Sequence, residues 1–284
     1  MSTAALISET PETIETEEHR PNGVWDYISP SRLNLWLRCP LAWKLKYKDG
    51  IKLPTTPALF VGARVHEGLE VHYRHRQLGI ALDASGVVQR LVDSWDEAIA
   101  AEGLQLDSAD ESQRLKQQAA GLVQAYLEHV GDQEPRPIAV ETSLEAPLID
   151  PATGQDLGIQ LLGVVDLIQD DEYGPRICDF KTAAKSATPF EITHEIQLSS
   201  YAYLFRQATG GNEGGLEIRS LIKTKTPKIQ FHHYAARTEV HFRRLFAVIR
   251  EYLDALDAGR FNFRPGFHCG MCDFARSQCR EWSG

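Results

Sequence analysis

Two aspartates and a lysine that could act together, Asp166, Asp179 and Lys181, lie in one short stretch of the sequence, GVVDLIQDDEYGPRICDFKT. The segment 170–175 is polar and contains a glycine and a proline, which predicts a turn between two strands. If the turn is centred between Glu172 and Tyr173, antiparallel pairing places Asp166 opposite Asp179, with Cβ atoms roughly 4.5–5.5 Å apart. Because side chains alternate along a strand, Lys181 lies on the same face as Asp179.

Opposed carboxylates of this kind suit metal-assisted hydrolysis of a phosphodiester. Like charges at such a distance repel each other, and a bound Mg²⁺ or Mn²⁺ removes the repulsion. The cation would polarise the phosphate and lower the pKa of a bound water, while Lys181 would orient that water or stabilise developing charge. The alternative is that Asp166 and Asp179 are ordinary strand-end residues. Their apolar neighbours weigh against it, because an unpaired buried charge is costly.

A second group of reactive residues lies in the C-terminal sequence FRPGFHCGMCDFARSQCREWSG. Its three cysteines have the spacing C-x2-C-x6-C, which predicts metal ligation by thiolates. Cys39 is the obvious fourth ligand, and binding it would join the two ends of the domain. Four thiolates suit zinc or an iron–sulfur cluster, and ligand chemistry alone slightly favours zinc. Cys178, beside Asp179, is interpreted as a core residue. The predicted ligands are Cys39, Cys269, Cys272 and Cys279.

Five segments taken in order resemble the RecB-like branch of the PD-(D/E)XK nuclease superfamily from Ile28 onward: SPSRLNLWLRCP, GARVHEGLE, GVVDLI, DFKT and QLSSYAYL. The resemblance implies a metal-dependent DNA nuclease that leaves a 5′-phosphate and prefers single-stranded ends, with an exonuclease favoured over an endonuclease. It also implies a [4Fe-4S] cluster at the cysteines, as in AddB-type and CRISPR-associated exonucleases. The last cysteine gap is one residue longer than in many relatives, and zinc stays the alternative.

The same resemblance implies roles for individual residues. Asp166 corresponds to the first metal-binding aspartate, and Asp179-Phe180-Lys181 to the D/E-x-K element, in which many relatives carry Glu first. Gln197 and Tyr201 belong to a Q-x-x-x-Y element that faces DNA. The implied catalytic residues are His66, Asp166, Asp179 and Lys181. The implied metal ligands are His66, Asp166, Asp179 and the backbone carbonyl of Phe180.

Spacing alone says less about the residues outside the hairpin. His66 and Glu70 are one helical turn apart, so both can point the same way, although a lone histidine is more often structural. Gln197 and Tyr201 share a helix face by the same spacing. Glu141, in the strand before the hairpin, would either join the metal ligands or cap the sheet edge.

Hydrophobic periodicity predicts the elements that position these residues. Ser29 or Ser31 should cap a first helix that is interrupted at Pro40. Helices are predicted at 61–78, twice within 85–130 with a break at 103–110, at 192–209 and at 239–258. Strands are predicted at 138–148, 159–168, 176–182, 216–225 and 229–236. The expected fold is α/β (α+β), with a small central mixed sheet flanked by helices, a restriction-endonuclease-like core and a cysteine-bound metal cluster joining its ends.

The predicted domain organisation is a tail followed by a single nuclease domain. Residues 1–22, rich in Glu, Thr, Ser and Pro, are expected to be a disordered acidic tail. The domain spans 23–284, with a helical lobe at about 80–135, a catalytic core at about 137–235 and a C-terminal helix and cluster segment at 239–284. A chain of 284 residues that is 43% hydrophobic is long enough for one large core.

Charge and hydropathy limit the function classes and the partners. The formal net charge of −9 argues against a protein that coats nucleic acid, but allows basic residues clustered in one groove. Neither a membrane span nor a signal peptide is predicted, so we expect a cytoplasmic protein whose cysteines are ligands or core residues rather than disulfides. Two non-enzymatic alternatives stay open. One is a catalytically silent nuclease-fold scaffold, and the other is a zinc-bound interaction module for DNA or protein.

The expected partner is DNA, most of all single-stranded DNA. The sequence has no G-x-x-x-x-G-K-[ST] segment, so any motor would be a separate helicase. DNA repair and recombination, phage replication and CRISPR adaptation all stay open as settings.

Overall fold

The computed structural model describes residues 26–131, 134–186 and 190–283, and the predicted tail at 1–22 lies outside them. Its helices are α1 (Pro30–Arg38), α2 (Pro40–Trp43), α3 (Pro57–Gln77), α4 (Ala84–Asp93), α5 (Trp95–Glu102), α6 (Ala109–Val130), α7 (Glu191–Thr209), α8 (Glu239–Asp257) and α9 (Gln278–Glu281). A π-helical turn spans Lys44–Lys48 and a 3-10 helix spans Phe267–Met271. Its strands are β1 (Tyr27–Ile28), β2 (Pro137–Ile149), β3 (Asp156–Gln169), β4 (Arg176–Ala183), β5 (Gly215–Ile222) and β6 (Lys228–Ala235).

The six strands form one mixed sheet in the order β1-β3-β4-β5-β6, and β2 pairs with the other edge of β3. Two pairs are parallel, β1 with β3 and β4 with β5, and the others are antiparallel. The 14-residue strand β3 has two partners along one edge, β1 at Gln160 and Leu161 and β4 from Leu167 to Gln169. Within the described residues no strand pairs with that edge between Leu161 and Leu167, so the sheet has a notch there.

Helices cover both faces of the sheet. On one face α1, α7 and α8 enclose a core that includes Trp43, Tyr203 and Phe246, and on the other α3 to α6 enclose a core that includes Trp95 and Phe180. Both sides therefore bury large apolar residues, which is the main stabilising contribution to such a layered fold. The predicted α/β class with a central mixed sheet flanked by helices is confirmed.

The elements differ from the prediction in four places. Helix α3 begins at Pro57 rather than 61, because Thr56 caps it and proline is well suited to the first helical position. The segment 85–130 holds three helices instead of two, with an additional break at Ser94 between α4 and α5. Strand β5 ends at Ile222, short of the predicted 225, and β1 was not predicted at all.

The remaining element predictions are confirmed to within a few residues. Ser29 is the N-cap of α1 and accepts a hydrogen bond from the Arg32 N–H, and the chain turns at Cys39 before α2 starts at Pro40. Among the helices of the described residues, none is both long and apolar enough to cross a lipid bilayer.

Candidate active site

The β3–β4 hairpin brings the two predicted aspartates together. Leu167 pairs with Cys178, and continuing this register by one residue sets Asp166 opposite Asp179. The Phe180 N–H donates a 2.7 Å hydrogen bond to Asp166 Oδ2. Only 9% of Asp166 and 2% of Asp179 is exposed, so both carboxylates are held inside the protein.

Asp179 is held by two further side chains. Lys181 Nζ lies 2.7 Å from Asp179 Oδ2, as strand alternation predicts. The Gln197 amide on α7 donates to Asp179 Oδ1 at 2.7 Å and to the Tyr201 hydroxyl at 2.9 Å. Tyr201 is only 6% exposed. Gln197 and Tyr201, which the resemblance predicts to face DNA, form a chain of hydrogen bonds that ends on Asp179.

Helix α3 delivers His66 to the hairpin. A Cβ on Gly62 would lie 3.1 Å from Thr182 Oγ1, so the absence of a side chain lets α3 approach β4 closely. His66 Nδ1 then lies 3.7 Å from Asp166 Oδ2, and its ring packs edge-on against Phe180. The predicted proximity of His66 to Asp166 is present, and Gly62, one helical turn before His66, helps to create it.

Glu141 on β2 completes a compact group of three potential ligands. Ligand atoms of His66, Glu141 and Asp166 all lie within 4.8 Å of one another, and Asp179 is not part of this group. Glu141 has a φ of 45°, a left-handed conformation that is uncommon for a residue with a side chain. Backbone strain of this type clusters at functional sites. The sequence left two roles open for Glu141, a metal ligand or a cap of the sheet edge. It does not predict the left-handed backbone conformation of this residue.

The electrostatics of this cluster suit a cation. Burial raises the pKa of Asp166 well above its ordinary value, and the charges of Asp179 and Glu141 raise it further. Burial, followed by the charge of Glu70, raises the pKa of Glu141 to about 7. Burial also lowers the pKa of His66, so the imidazole is neutral at pH 7 and keeps a lone pair. Crowded carboxylates beside a neutral imidazole form a donor set that fits a divalent cation.

A cleft of about 470 Å³ lies at the notch in the sheet, where Leu162, Gly163 and Val164 of β3 line it. It adjoins the acidic cluster through Lys181 and Gln197, which both contact Asp179. Lys181, Gln197 and Tyr201 line its inner end. A Cβ on Gly163 would lie 2.9 Å from Leu204 Cδ1 and 3.3 Å from Tyr201 Cε1, so β3 can pack this closely against α7 only with glycine there.

The cysteines lie in two separate environments. Cys39 is buried beside Leu41 and Phe274, and Cys272 and Cys279 pack against the same small cluster. Burial raises the pKa of Cys279, and the nearby thiols of Cys39, Cys272 and Cys269 raise it further. The four predicted ligands thus converge on one region, although within the described residues they do not form a group whose atoms all lie within 4.8 Å. Cys178 lies in the core between sheet and helices, and burial raises its pKa to about 12.

Comparison with known proteins identifies the class. The model of the PD-(D/E)XK nuclease superfamily matches residues 27–280, and the chain therefore belongs to that superfamily. The crystal structure of a protein from Eubacterium rectale named "Putative exonuclease" is 15% identical, covers 91% of this chain and 89% of that chain, and has a TM-score of 0.57. The two proteins share the fold.

A second solved structure, SSO0001, is 14% identical over 79% of this chain and 96% of that chain, with a TM-score of 0.38. The comparison with curated proteins gives no match.

Proposed function

We propose that the chain is a divalent-metal-dependent deoxyribonuclease that degrades single-stranded DNA from its ends. The observation that carries the proposal is the buried pair Asp166 and Asp179, with Lys181 on Asp179 and neutral His66 beside Asp166. A scaffold without catalysis has no use for opposed buried carboxylates, which destabilise a fold unless they are compensated. The superfamily match and the exonuclease name of the Eubacterium rectale structure support the same function.

The donor atoms present fit Mg²⁺ or Mn²⁺. His66, Glu141 and Asp166 would hold the ion, and Asp179 and the Phe180 carbonyl would be the further ligands. When bound, the cation polarises the phosphate and lowers the pKa of a bound water. Asp179 Oδ2 is buried, and its contact in the described residues is the ion pair with Lys181. It can therefore accept a hydrogen bond from water when substrate draws Lys181 away.

The side chains then have distinct tasks in hydrolysis. The oxygen of the attacking water bonds to phosphorus while the bond from phosphorus to the 3′ oxygen breaks, which leaves a 5′-phosphate and a 3′-hydroxyl. Lys181 Nζ is placed to donate to the phosphate oxygens as negative charge develops on them. Gln197 keeps the Asp179 carboxylate oriented through its 2.7 Å hydrogen bond to Oδ1.

We also propose that Cys39, Cys269, Cys272 and Cys279 hold a [4Fe-4S] cluster with a structural role. The packing of Cys272 and Cys279 against the small cluster around Cys39 supports one shared site. The resemblance to iron–sulfur exonucleases favours [4Fe-4S] there, and zinc is the alternative. Partners that supply unwound DNA, such as a separate helicase or a CRISPR-adaptation or recombination protein, would fit an enzyme that lacks its own motor.

The decisive experiment is cleavage of end-labelled single-stranded DNA by anaerobically purified protein. With Mn²⁺ or Mg²⁺ we expect products that shorten from one end, and with EDTA no products. Lys181→Ala should lower the rate by about 10²–10³-fold, the usual loss when a transition-state donor is removed. The exposed Lys52 offers a matched control, Lys52→Ala, which should cleave normally. Absence of cleavage by folded, metal-loaded protein would instead favour the scaffold.

A further inference from the structure

The cleft beside the catalytic cluster differs in charge from the protein as a whole. The chain carries 39 acidic against 30 basic residues. Of the described residues that line the cleft, two are cations, Arg32 and Lys181, and none is acidic. A smaller cleft of about 180 Å³ on the other side of the sheet is lined by acidic and basic residues together. The larger of these two clefts is therefore the better suited to a polyanion.

The outer wall of the cleft is built from aromatic rings around one guanidinium group. The Arg32 guanidinium lies 3.8 Å from the centre of the Tyr27 ring and 5.1 Å from that of Tyr47. Arg32 NH1 also donates to the Tyr27 carbonyl at 2.8 Å, which fixes its position. Rings on which bases stack, next to a cation, are the features by which proteins bind single-stranded nucleic acid without regard to sequence.

The size of the cleft suits a short piece of a single strand. Its volume of about 470 Å³ is within the range of sites that hold one small organic molecule, which is about the size of a nucleotide. The floor is the notch where β3 has no partner strand between β1 and β4. The first turn of α1 forms one rim of it and presents the exposed side chains of Ser31 and Asn34 to the cleft.

From these observations, and resting on the proposed nuclease function, we propose that this cleft binds the single DNA strand next to the scissile phosphate. Tyr27 and Tyr47 contact its bases, Arg32 contacts its backbone, and the first turn of α1 follows the strand. The cleft is then the feature that selects single-stranded DNA over duplex DNA.

A charge series at Asn34 tests this placement, since Asn34 is exposed and its substitution leaves the core intact. Binding of a fluorescein-labelled oligothymidylate is measured in EDTA, so that no cleavage occurs. Asn34→Asp should weaken binding about tenfold, because it sets a negative charge against the backbone. Asn34→Lys should tighten binding and steepen the salt dependence by about 0.7 in log–log slope, the value for one added contact to a single strand.

Gln118 provides the matched control, because it is exposed on α6 and does not line the cleft. Gln118→Glu and Gln118→Lys make the same changes in net charge and should leave the affinity within twofold of the parent. If the two series shift the affinity equally, or if duplex DNA of the same length competes as well as single-stranded DNA, the proposal is wrong.

Photocrosslinking locates the strand without any substitution. An oligonucleotide with 5-iodouracil at successive positions should crosslink to Tyr27 or Tyr47, and crosslinks confined to other segments would overturn the assignment. A parallel cleavage assay in Mn²⁺ keeps the two proposals apart. If the protein cleaves DNA but the Asn34 variants bind the oligonucleotide as the parent does, only the proposal about the cleft is wrong. If the Asn34 variants change the affinity as expected but the parent does not cleave DNA, only the proposed nuclease function is wrong.

Discussion

Several side chains at the candidate centre have pKa values that are shifted from those of the same groups in water. Burial and neighbouring negative charges raise the pKa of Asp166, and burial lowers the pKa of His66. Both shifts oppose the charged forms, as expected for groups taken out of water. A bound cation offsets this penalty for the carboxylates, because it adds positive charge beside Asp166 and Glu141, for which the single charge of Lys181 on Asp179 does not suffice. The site therefore gains more from a divalent ion than a set of exposed carboxylates would.

Glu141 is the residue whose role the sequence left open, and its substitution decides between the two alternatives. Glu141→Gln keeps the size of the side chain but removes a charged ligand. The Mn²⁺ concentration for half-maximal cleavage should therefore rise tenfold or more. Changing residues that only hydrogen-bond to a metal ligand already lowers metal affinity by at least this factor. Glu145→Gln is the matched control, since Glu145 lies on the same strand and is exposed. An unchanged metal requirement in Glu141→Gln would mean that Glu141 only caps the sheet edge.

At the scale of elements, the parts that could be predicted are those fixed by local sequence. Alternation in GVVDLI and ICDFKT, with a turn of polar residues between them, was enough to predict the hairpin and the opposition of Asp166 and Asp179. The two-residue strand β1 could not be predicted, since two residues carry no periodicity and their pairing depends on Gln160 far along the chain.

Other parts of the site depend on packing between elements and were beyond sequence reasoning. The hydrogen bond from Gln197 to Asp179 requires α7 to pack on the sheet at one particular height. The cleft lies where β1 and β4 pair with separate parts of the same edge of β3 and leave the residues between them unpaired. The sequence of no single segment predicts this arrangement. The expectation that Gln197 and Tyr201 contact DNA stays a prediction, and their hydrogen bonds behind Asp179 give them a positioning role as well.

A buried polar network joins the helical layer of α3 and α6 to the sheet. Arg219 on β5 is 2% exposed and donates to the Tyr73 hydroxyl at 2.9 Å, the Tyr126 hydroxyl at 2.7 Å and Gln169 Oε1 at 2.6 Å. It also pairs with Glu217 and Glu134. One guanidinium therefore connects two helices and two strands.

Removing this guanidinium should loosen the attachment of the helices. Arg219→Met removes the cation that is buried between Glu217 and Glu134. Glu217 keeps Arg176 and His233, and Glu134 keeps the Tyr73 hydroxyl. The loss of the buried ion pairs should cost about 3–5 kcal/mol of unfolding free energy. Urea unfolding followed by circular dichroism measures the loss. Arg243→Met is the control, because Arg243 and Glu239 form a 2.7 Å pair between side chains that are 63% and 84% exposed, and such a pair contributes less than about 0.5 kcal/mol. Equal stabilities for the two variants would contradict this role of Arg219.

At the scale of the whole molecule, the two ends of the described chain are packed together around the cysteines. The Leu41 N–H donates to the Asn262 carbonyl at 3.3 Å, and the rings of Trp43 and Phe261 stack with centroids 5.9 Å apart. Cys39 lies in the same N-terminal segment, and Cys272 and Cys279 reach its cluster from the C-terminal segment. A metal cluster shared by these cysteines would close a loop of most of the domain, and the binding free energy would then be coupled to folding.

Removal of one ligand tests that coupling. Closing a loop of more than 100 residues with a covalent link contributes about 4–5 kcal/mol, so Cys272→Ala should lower the midpoint of thermal unfolding by about 10 °C. Iron and acid-labile sulfide, measured on anaerobically purified protein, should be lost together with the brown colour. Cys178→Ala is the control for metal content, since Cys178 lies in a separate core cluster and should keep the full complement. If the parent protein contains zinc and no sulfide, the cysteines bind zinc rather than an iron–sulfur cluster. The proposal that the metal site closes the loop would still hold. An unchanged thermal midpoint in Cys272→Ala would show that the apolar contacts around Trp43 and Phe261 hold the chain ends together without help from a metal.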